Sequence, residues 1–316
     1  MEFVASPPRL DRDCAYEGRR LFPVATANTV VHMANLHEQM QDDIEPLDLR
    51  FDADELEAQV YYLTEFIQDR VDAADADGAE IALSGGIDST TMAYLAVEAL
   101  GADNVHAITL PKAVNEDANM SDAERVAEAL GVEYDVIEID PIMDQVLELA
   151  DAENQNKSED RWEGRYVGNT SARVRMTVTY LIANRENRIV LGTGNRAELA
   201  TGYVTKYGDG GVDCNPLGNL YKQQVRQVAA HLGVSEEVVQ KTPTGGMVDY
   251  ESDEEELGLD YDTLDAVLAL SIDGNLPKSV VARLTDTTVE DVSHVETMHE
   301  KSEHKRTPPD VPEPLF

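Results

Sequence analysis

The chain has 316 residues, 62 of them acidic and 25 basic, for a formal charge of −37 at pH 7. That length can bury a full α/β core. Negative charge of this size repels nucleic acid and anionic membrane, which excludes both as bulk partners.

Such acidity, with lysine scarcer than arginine, predicts a halophilic protein from a salt-loaded cytoplasm, where molar salt screens the self-repulsion. Cys14 and Cys214 are the only cysteines, too few for a disulfide framework or a cysteine metal cluster. No apolar run approaches membrane-spanning length, and the N-terminus lacks the apolar core of a signal peptide. A cytoplasmic location is expected.

Residues 1–50 read as an N-terminal extension of unknown role, punctuated by Pro7, Pro8 and Pro23, with a basic cluster at Arg9, Arg12, Arg19 and Arg20 and a short helix expected over 30–40. From Phe51 to Ala74, Leu56, Val60, Leu63, Phe66, Ile67 and Val71 recur at three- and four-residue spacing. The spacing predicts a helix capped by Asp52 or Asp54 and ended by Asp77-Gly78.

Ile81-Ala82-Leu83 is a short apolar run expected as a buried parallel strand, broken by Ser84, Gly85 and Gly86. From Asp88 an amphipathic helix carries Met92, Leu95, Ala96, Ala99 and Leu100 on one face. Strand, glycine turn and helix N-terminus together make an anion site: free N–H groups point outward, and glycine lets a phosphate approach the backbone. The Walker loop requires a lysine that is absent here. An aspartate inside the loop, Asp88, suits bound phosphates if Mg2+ lies between them.

Further on, Val105 to Leu110 is expected as a second strand and Met120 to Leu130 as a helix capped by Ser121 or Asp122 and closed by Gly131. Tyr134 to Ile139 reads as a third strand stopped by Pro141, followed by a helix over Ile142 to Ala150. The polar stretch from Asp151 to Tyr166 has the composition of a mobile loop. Thr170 to Asn184 returns to helical periodicity, and Ile189 to Leu191 reads as a fourth strand ending at Gly192 and Gly194. This alternation predicts a doubly wound parallel sheet flanked by helices, with the ligand site between the two glycine turns at the carboxyl ends of strands. Helices are expected over Leu220 to Leu232, over Tyr261 to Leu270 and twice within Pro277 to His299, before a Pro-rich tail at 307–316. The last pair has helix-turn-helix spacing, but Glu290, Asp291 and Glu296 on its second helix would repel a phosphate backbone.

Residues 192–213 alternate polar, charged and glycine positions with almost no periodicity, a stretch costly to order unless it binds something. Taken alone, Glu198 is an ordinary solvated helix residue. Beside the loop at 84–89 it becomes a candidate partner of Asp88 at a metal.

These motifs carry a resemblance. Ser84-Gly85-Gly86-Ile87-Asp88-Ser89 resembles the loop of the ATP pyrophosphatases, which cleave ATP between its α and β phosphates. Gly192-Thr193 with Asn195 and Glu198, followed by Thr205-Lys206-Tyr207-Gly208-Asp209-Gly210-Gly211, resembles the ammonia-dependent NAD synthetases within that group. Gly168-Asn169, Ala172-Arg173, Asn215-Pro216-Leu217, Tyr221-Lys222 and Glu303 to Arg306 extend the likeness over a domain of 51–306. A departure is Ser171, which stands where relatives carry a basic residue.

The resemblance implies an adenine nucleotide alpha hydrolase-like fold with a helical C-terminal segment. It implies that Ser84 to Ser89, Thr193, Lys222 and Thr244 bind ATP, and that Asp88 and Glu198 bind Mg2+. Arg173, Lys206, Asp213, His304 and Lys305 match positions that hold deamido-NAD. The implied reaction adenylates the nicotinate carboxylate and lets ammonia displace AMP, giving NAD in a homodimeric enzyme. No covalent nucleophile is required; Asp209 is a candidate base for ammonium. Glutamine-using relatives carry a hydrolase domain ahead of the ATP site, and 83 residues precede Ser84 here, so free ammonia is the expected donor. The alternative enzyme is another ATP pyrophosphatase acting on a different carboxylate or base.

Overall fold

The computed structural model describes residues 47–111, 121–149, 161–241 and 257–314, the side chains of 161–165 apart. The expected helix over 30–40, the basic cluster near the N-terminus, Cys14, Thr244 and the first part of the 151–166 stretch lie outside these residues.

Helix α1, Ala53–Ala73, starts on an Asp52 capping box with Glu55 and buries Leu63, Ile67 and Val71. Its C-cap is Ala74, so Asp77-Gly78 does not end it. Gly78 opens strand β1, Gly78–Ala82, because a Cβ there would lie 2.1 Å from the Asn104 carbonyl oxygen. Helix α2 is Ile87–Leu100, and strand β2 is Val105–Thr109. Helix α3, Asp122–Leu130, is capped by Ser121 and closed by Gly131 in the left-handed conformation, as the sequence predicts.

Strand β3 is Glu133–Val136, shorter than expected. Pro141 does not stop it; proline tolerates the first turn of a helix, and here it occupies that turn in α4, Asp140–Leu149. Helix α5 runs from Arg161 to Arg185, so residues 161–166 are helical rather than loop. Strand β4, Arg188–Val190, leads into helix α6, Arg196–Thr201. Helix α7 is Lys222–His231 and helix α8 is Glu236–Val239. Helix α9, Tyr261–Val267, continues as π-helical turns over Leu268–Asp273. Helices α10, Lys278–Leu284, α11, Val289–Lys301, and α12, Glu303–Arg306, complete the order.

The four strands form one sheet in the order β3-β2-β1-β4, every neighbour parallel. Because successive residues of a strand face opposite sides, β2 feeds two cores. Ala79, Ile81, Val105 and Ala107 pack with α1, α2, α3 and α7, while Ile108 and Leu110 pack with α4 and α5. A third cluster joins Ala197 and Ala200 of α6 to Tyr261, Leu264, Val281, Val292 and Val295 of the C-terminal helices. The helix-turn-helix pair is therefore a packing unit: Val292 and Val295 are sealed, and Glu296 pairs with Lys278. From β1 the chain moves to β2 and β3 on one side, then crosses to β4 on the other. The carboxyl ends of β1 and β4 flank that reversal, where open α/β sheets open a ligand crevice.

Candidate active site

The loop at 84–89 closes on its own hydroxyls. Ser84 N donates to Ser89 Oγ at 3.2 Å, the two serine hydroxyls are 3.0 Å apart, and Ser89 Oγ donates to the Gly86 carbonyl at 3.1 Å. Gly85 has φ +75°, and a Cβ on it would lie 2.6 Å from Cβ of Asp122. Glycine is required there for both reasons. Among the described residues, Gly86 caps α2 without a side-chain hydrogen bond.

Asp88 projects from that first turn. Its Oδ1 accepts from Asn195 Nδ2 at 2.9 Å and its Oδ2 from Lys222 Nζ at 2.5 Å. Asn195 caps α6 in a box with Glu198: Glu198 N donates to Asn195 Oδ1 at 3.0 Å, and Asn195 N to Glu198 Oε2 at 3.1 Å. Glu198 Oε1 lies 3.7 Å from Lys222 Nζ. Two carboxylates from the ends of β1 and β4 thus converge on one ammonium group. The side chain of Lys222 is 1 % exposed, whereas Asp88 and Glu198 each keep 17 %. Lys222 Nζ also sits 4.9 Å from the Tyr261 ring centroid, a cation–π contact.

A second set of predicted residues gathers where α5, the 202–211 loop and α12 meet. Arg173 Nε donates to the Lys206 carbonyl at 3.2 Å, and Lys206 Nζ to the His304 carbonyl. Lys305 Nζ donates to the carbonyls of Gly202 at 2.6 Å and Val204 at 2.7 Å. Thr205 ties the loop down, its N–H bonding Asp209 Oδ1 at 2.8 Å and its hydroxyl Asn169 Oδ1 at 2.9 Å.

The model of the family described as NAD synthase matches residues 59–309. The chain belongs to the NAD synthase family. The NH(3)-dependent NAD(+) synthetase of Halobacterium salinarum is 51 % identical over 272 residues, spanning 86 % of this chain and 98 % of the relative. That of Thermococcus kodakarensis is 40 % identical over 81 % of this chain and 97 % of the relative. Among solved structures, the NMN synthetase of Francisella tularensis superposes with a TM-score of 0.68 at 32 % identity, over 81 % of this chain and 98 % of that one. The NH3-dependent NAD synthetase of Campylobacter jejuni, in complex with the nitrate ion, gives 0.66 at 28 % identity over 82 % and 99 %.

In this NAD synthase chain the structure brings Ser84 to Ser89, Asp88, Glu198 and Lys222 together at the reversal of the sheet. Thr193 is half-buried in the turn that follows β4. Arg173, Lys206, His304 and Lys305 form the second cluster. Asp213 is held separately, its Oδ2 accepting from Val190 N at 2.7 Å and its Oδ1 from Tyr180 OH at 3.0 Å. At Ser171, Arg175, one turn on, donates to the serine hydroxyl at 2.7 Å and to the Leu110 carbonyl at 2.9 Å. Burial pushes the Cys214 thiol up to about 11, with Asp213 adding to the effect, so it offers little thiolate at neutral pH.

Sequence reasoning assigned no role to Asn195, fully buried between the two carboxylates, although the Asn-x-x-Glu spacing of a capping box announces it. It also passed over Asp273, which accepts from Tyr221 OH at 2.5 Å and pairs with Arg196. No local pattern marks that residue, because its partners lie 52 and 77 positions away.

Proposed function

We propose that this chain is a ligase that forms NAD by amidating the nicotinate carboxylate of deamido-NAD with ammonia, coupled to cleavage of ATP to AMP and pyrophosphate. The observation that carries the reading is the convergence of Asp88, Asn195, Glu198 and Lys222 at the carboxyl ends of β1 and β4. Asp88 and Glu198 would hold Mg2+, since hard carboxylate oxygens suit that cation. When bound, that ion neutralises charge on the triphosphate so that a carboxylate can approach the α-phosphorus.

The chain's own groups do the rest. The N–H groups of the 84–89 loop and the first turn of α2 hold phosphate oxygens, and Lys222 faces the charge that grows on the leaving pyrophosphate. Thr193 and Thr244 complete the ATP contacts. Arg173, Lys206, Asp213, His304 and Lys305 hold deamido-NAD so that its carboxylate meets ATP in line. The carboxylate oxygen attacks the α-phosphorus, pyrophosphate leaves, ammonia adds to the acyl carbon and AMP departs with the bond electrons. The nitrogen loses a proton in that step. The buried, high-pKa Cys214 favours free ammonia over a thiol-generated supply.

Two further properties belong to this reading. The charge of −37 supports a halophilic cytoplasmic enzyme, and the exposed Tyr61, Tyr62 and Leu181 on α1 and α5 supply apolar surface for a homodimer. The deciding test incubates the purified chain in molar KCl with ATP, Mg2+ and either ammonium or ammonia-free glutamine. Deamido-NAD and nicotinate mononucleotide are offered in parallel. Expected are NAD and AMP from ammonium and the dinucleotide. Faster turnover of the mononucleotide would move the chain toward the activity named for the Francisella protein. Equal rates from glutamine would overturn the nitrogen donor. Loss of activity in dilute buffer and a sedimenting dimer are the outcomes expected for the two further properties.

A further inference from the structure

Helix α6 carries Glu198 and has six residues, too few to sustain a helix by themselves. Its position and aim are therefore set at its two ends. At the amino end Asn195, the cap, donates to Asp88 at 2.9 Å. At the carboxyl end the last carbonyls run out of partners within the helix and need donors from elsewhere. Arg306 supplies them. Its Nη1 donates to the Leu199 carbonyl at 3.2 Å and to the Ala200 carbonyl at 3.0 Å.

The same guanidinium group is anchored on the end of α11. Its Nη1 donates to the Ser302 hydroxyl at 2.7 Å and its Nη2 to the His299 carbonyl at 2.6 Å. It thus stands between the carboxyl ends of two helices, where a positive charge is favoured by both. The packing there is close: Gly202 ends α6 with φ +70°, and a Cβ on it would lie 2.1 Å from Cβ of Ser302. Lys305, one residue earlier, donates to the Gly202 carbonyl at 2.6 Å, so α12 grips the chain on both sides of that helix end. Acceptors spread over two helices suit the planar fork of arginine and not the single ammonium group of lysine.

We propose that Arg306 is a positioning residue for Glu198. By holding the last turn of α6 to the end of α11, it fixes where the Glu198 carboxylate stands relative to Asp88 and Lys222. It acts through the backbone of α6. The inference rests on the reading of Glu198 as a Mg2+ ligand.

The test measures ATP affinity calorimetrically in molar KCl, at limiting and at saturating Mg2+, with melting temperatures alongside. It compares wild type, Arg306→Ala, Arg306→Lys, Glu198→Gln and Glu198→Gln combined with either change at Arg306. Losing a group that orients a metal ligand typically costs about 10–100-fold in metal affinity. Arg306→Ala should therefore weaken ATP binding about tenfold at limiting Mg2+ and regain most of it at saturating Mg2+. Arg306→Lys keeps the charge without the fork and should fall between. In the Glu198→Gln background either change should add little, because Arg306 acts through that carboxylate. A residue that served stability alone would behave differently: its loss would lower the melting temperature and the number of sites titrated, and leave the affinity of the folded molecules unchanged. The readout is binding, so it does not depend on which substrate is amidated. If Glu198→Gln binds ATP like wild type at limiting Mg2+, the reading of Glu198 fails and this inference with it. If Glu198→Gln is weakened while Arg306→Ala keeps wild-type affinity, or the two losses add in full, Arg306 alone is excluded. If Arg306→Ala does not fold, Arg306→Lys decides: an affinity weakened only where Glu198 is intact upholds the inference, and any other result overturns it.

Discussion

Two buried acid–base pairs, one at the end of the sheet and one within it, differ in what surrounds them. Lys222 and Asp88 meet at the carboxyl ends of the strands; His106 and Glu80 meet in the middle of β1 and β2, where they stand opposite each other in register. His106 Nδ1 lies 2.9 Å from Glu80 Oε2, with side chains 3 % and 0 % exposed. Glu186 approaches closely enough that one ligand atom from each of the three lies within 4.8 Å of the others. Yet Glu186 is held by Arg185 at 2.7 Å and Arg188 at 3.2 Å. Glu186 is itself 28 % exposed, so the sealed part of the cluster is the His106–Glu80 pair. At the site, Asp88 and Glu198 retain an open side and share a single lysine, so a ligand can add charge to the cluster.

The contrast is broken most severely by neutralising the open carboxylates. Asp88→Asn keeps an oxygen for Asn195 and Glu198→Gln keeps one for the capping box of α6, but each removes the charge that faces a cation. Turnover is expected to fall by about two to three orders of magnitude or more, with circular dichroism unchanged. Activity near wild type in either variant would show that its carboxylate is not required.

The closed pair should act on stability instead. Removing one partner of a buried pair typically costs about 3–5 kcal/mol, so His106→Gln should lower the melting temperature strongly while the site geometry persists. The hydrogen bond to Glu80 raises the His106 pKa, against the opposing effect of burial, and the charges of Glu80, Glu186 and Asp135 add to the rise. A raised pKa means that the folded state holds its proton more tightly. The stabilisation is complete below the ordinary histidine value of about 6.5 and is lost as pH rises through the folded value. Melting curves from pH 6 to 9 should fall for wild type and flatten for His106→Gln. A wild-type melting temperature that rises with pH over this range would reverse the assignment.

How much of this was legible beforehand follows from distance along the chain. The helix expected over 51–74, the 84–89 turn and the cap at Ser121 are written in residues within four positions of one another, and the helix and cap appear where spacing puts them. The site's two halves were legible as motifs because each lies on one strand end. Gly78 and Pro141 misled for a shared reason: glycine and proline are read as terminators, whereas here one admits a neighbouring carbonyl and the other opens a helix. Asp265, Asp273 and the pairing of Glu80 with His106 could not be read locally. Their contacts arise from α9 and the turns after it packing against the start of α7, and from β1 lying beside β2.

The smallest effect belongs to a pair of a third kind. Lys241 Nζ lies 2.5 Å from Asp122 Oδ2, with side chains 44 % and 37 % exposed. Asp122 also pairs with Arg125. Lys241 is the main reason the Asp122 pKa is lowered, so this contribution is present above the ordinary aspartate value and lost as pH falls below it. Solvent screens such a pair, and its worth is about 0.2–1 kcal/mol in dilute buffer. In molar salt the screening length falls to about 3 Å, near the separation of the charges themselves. Asp122→Asn should therefore lower the melting temperature slightly in dilute buffer and not measurably in molar KCl. The loss from His106→Gln, sealed from solvent ions, should persist at both salt concentrations. The same salt series separates the three kinds of pair, because concentrated ions reach the exposed charges, compete only partly at the open site and do not enter the sheet. A deficit for Asp122→Asn that grows with salt would mean that its role is not electrostatic, and the packing of Asp122 against the Gly85 turn would then be the cause.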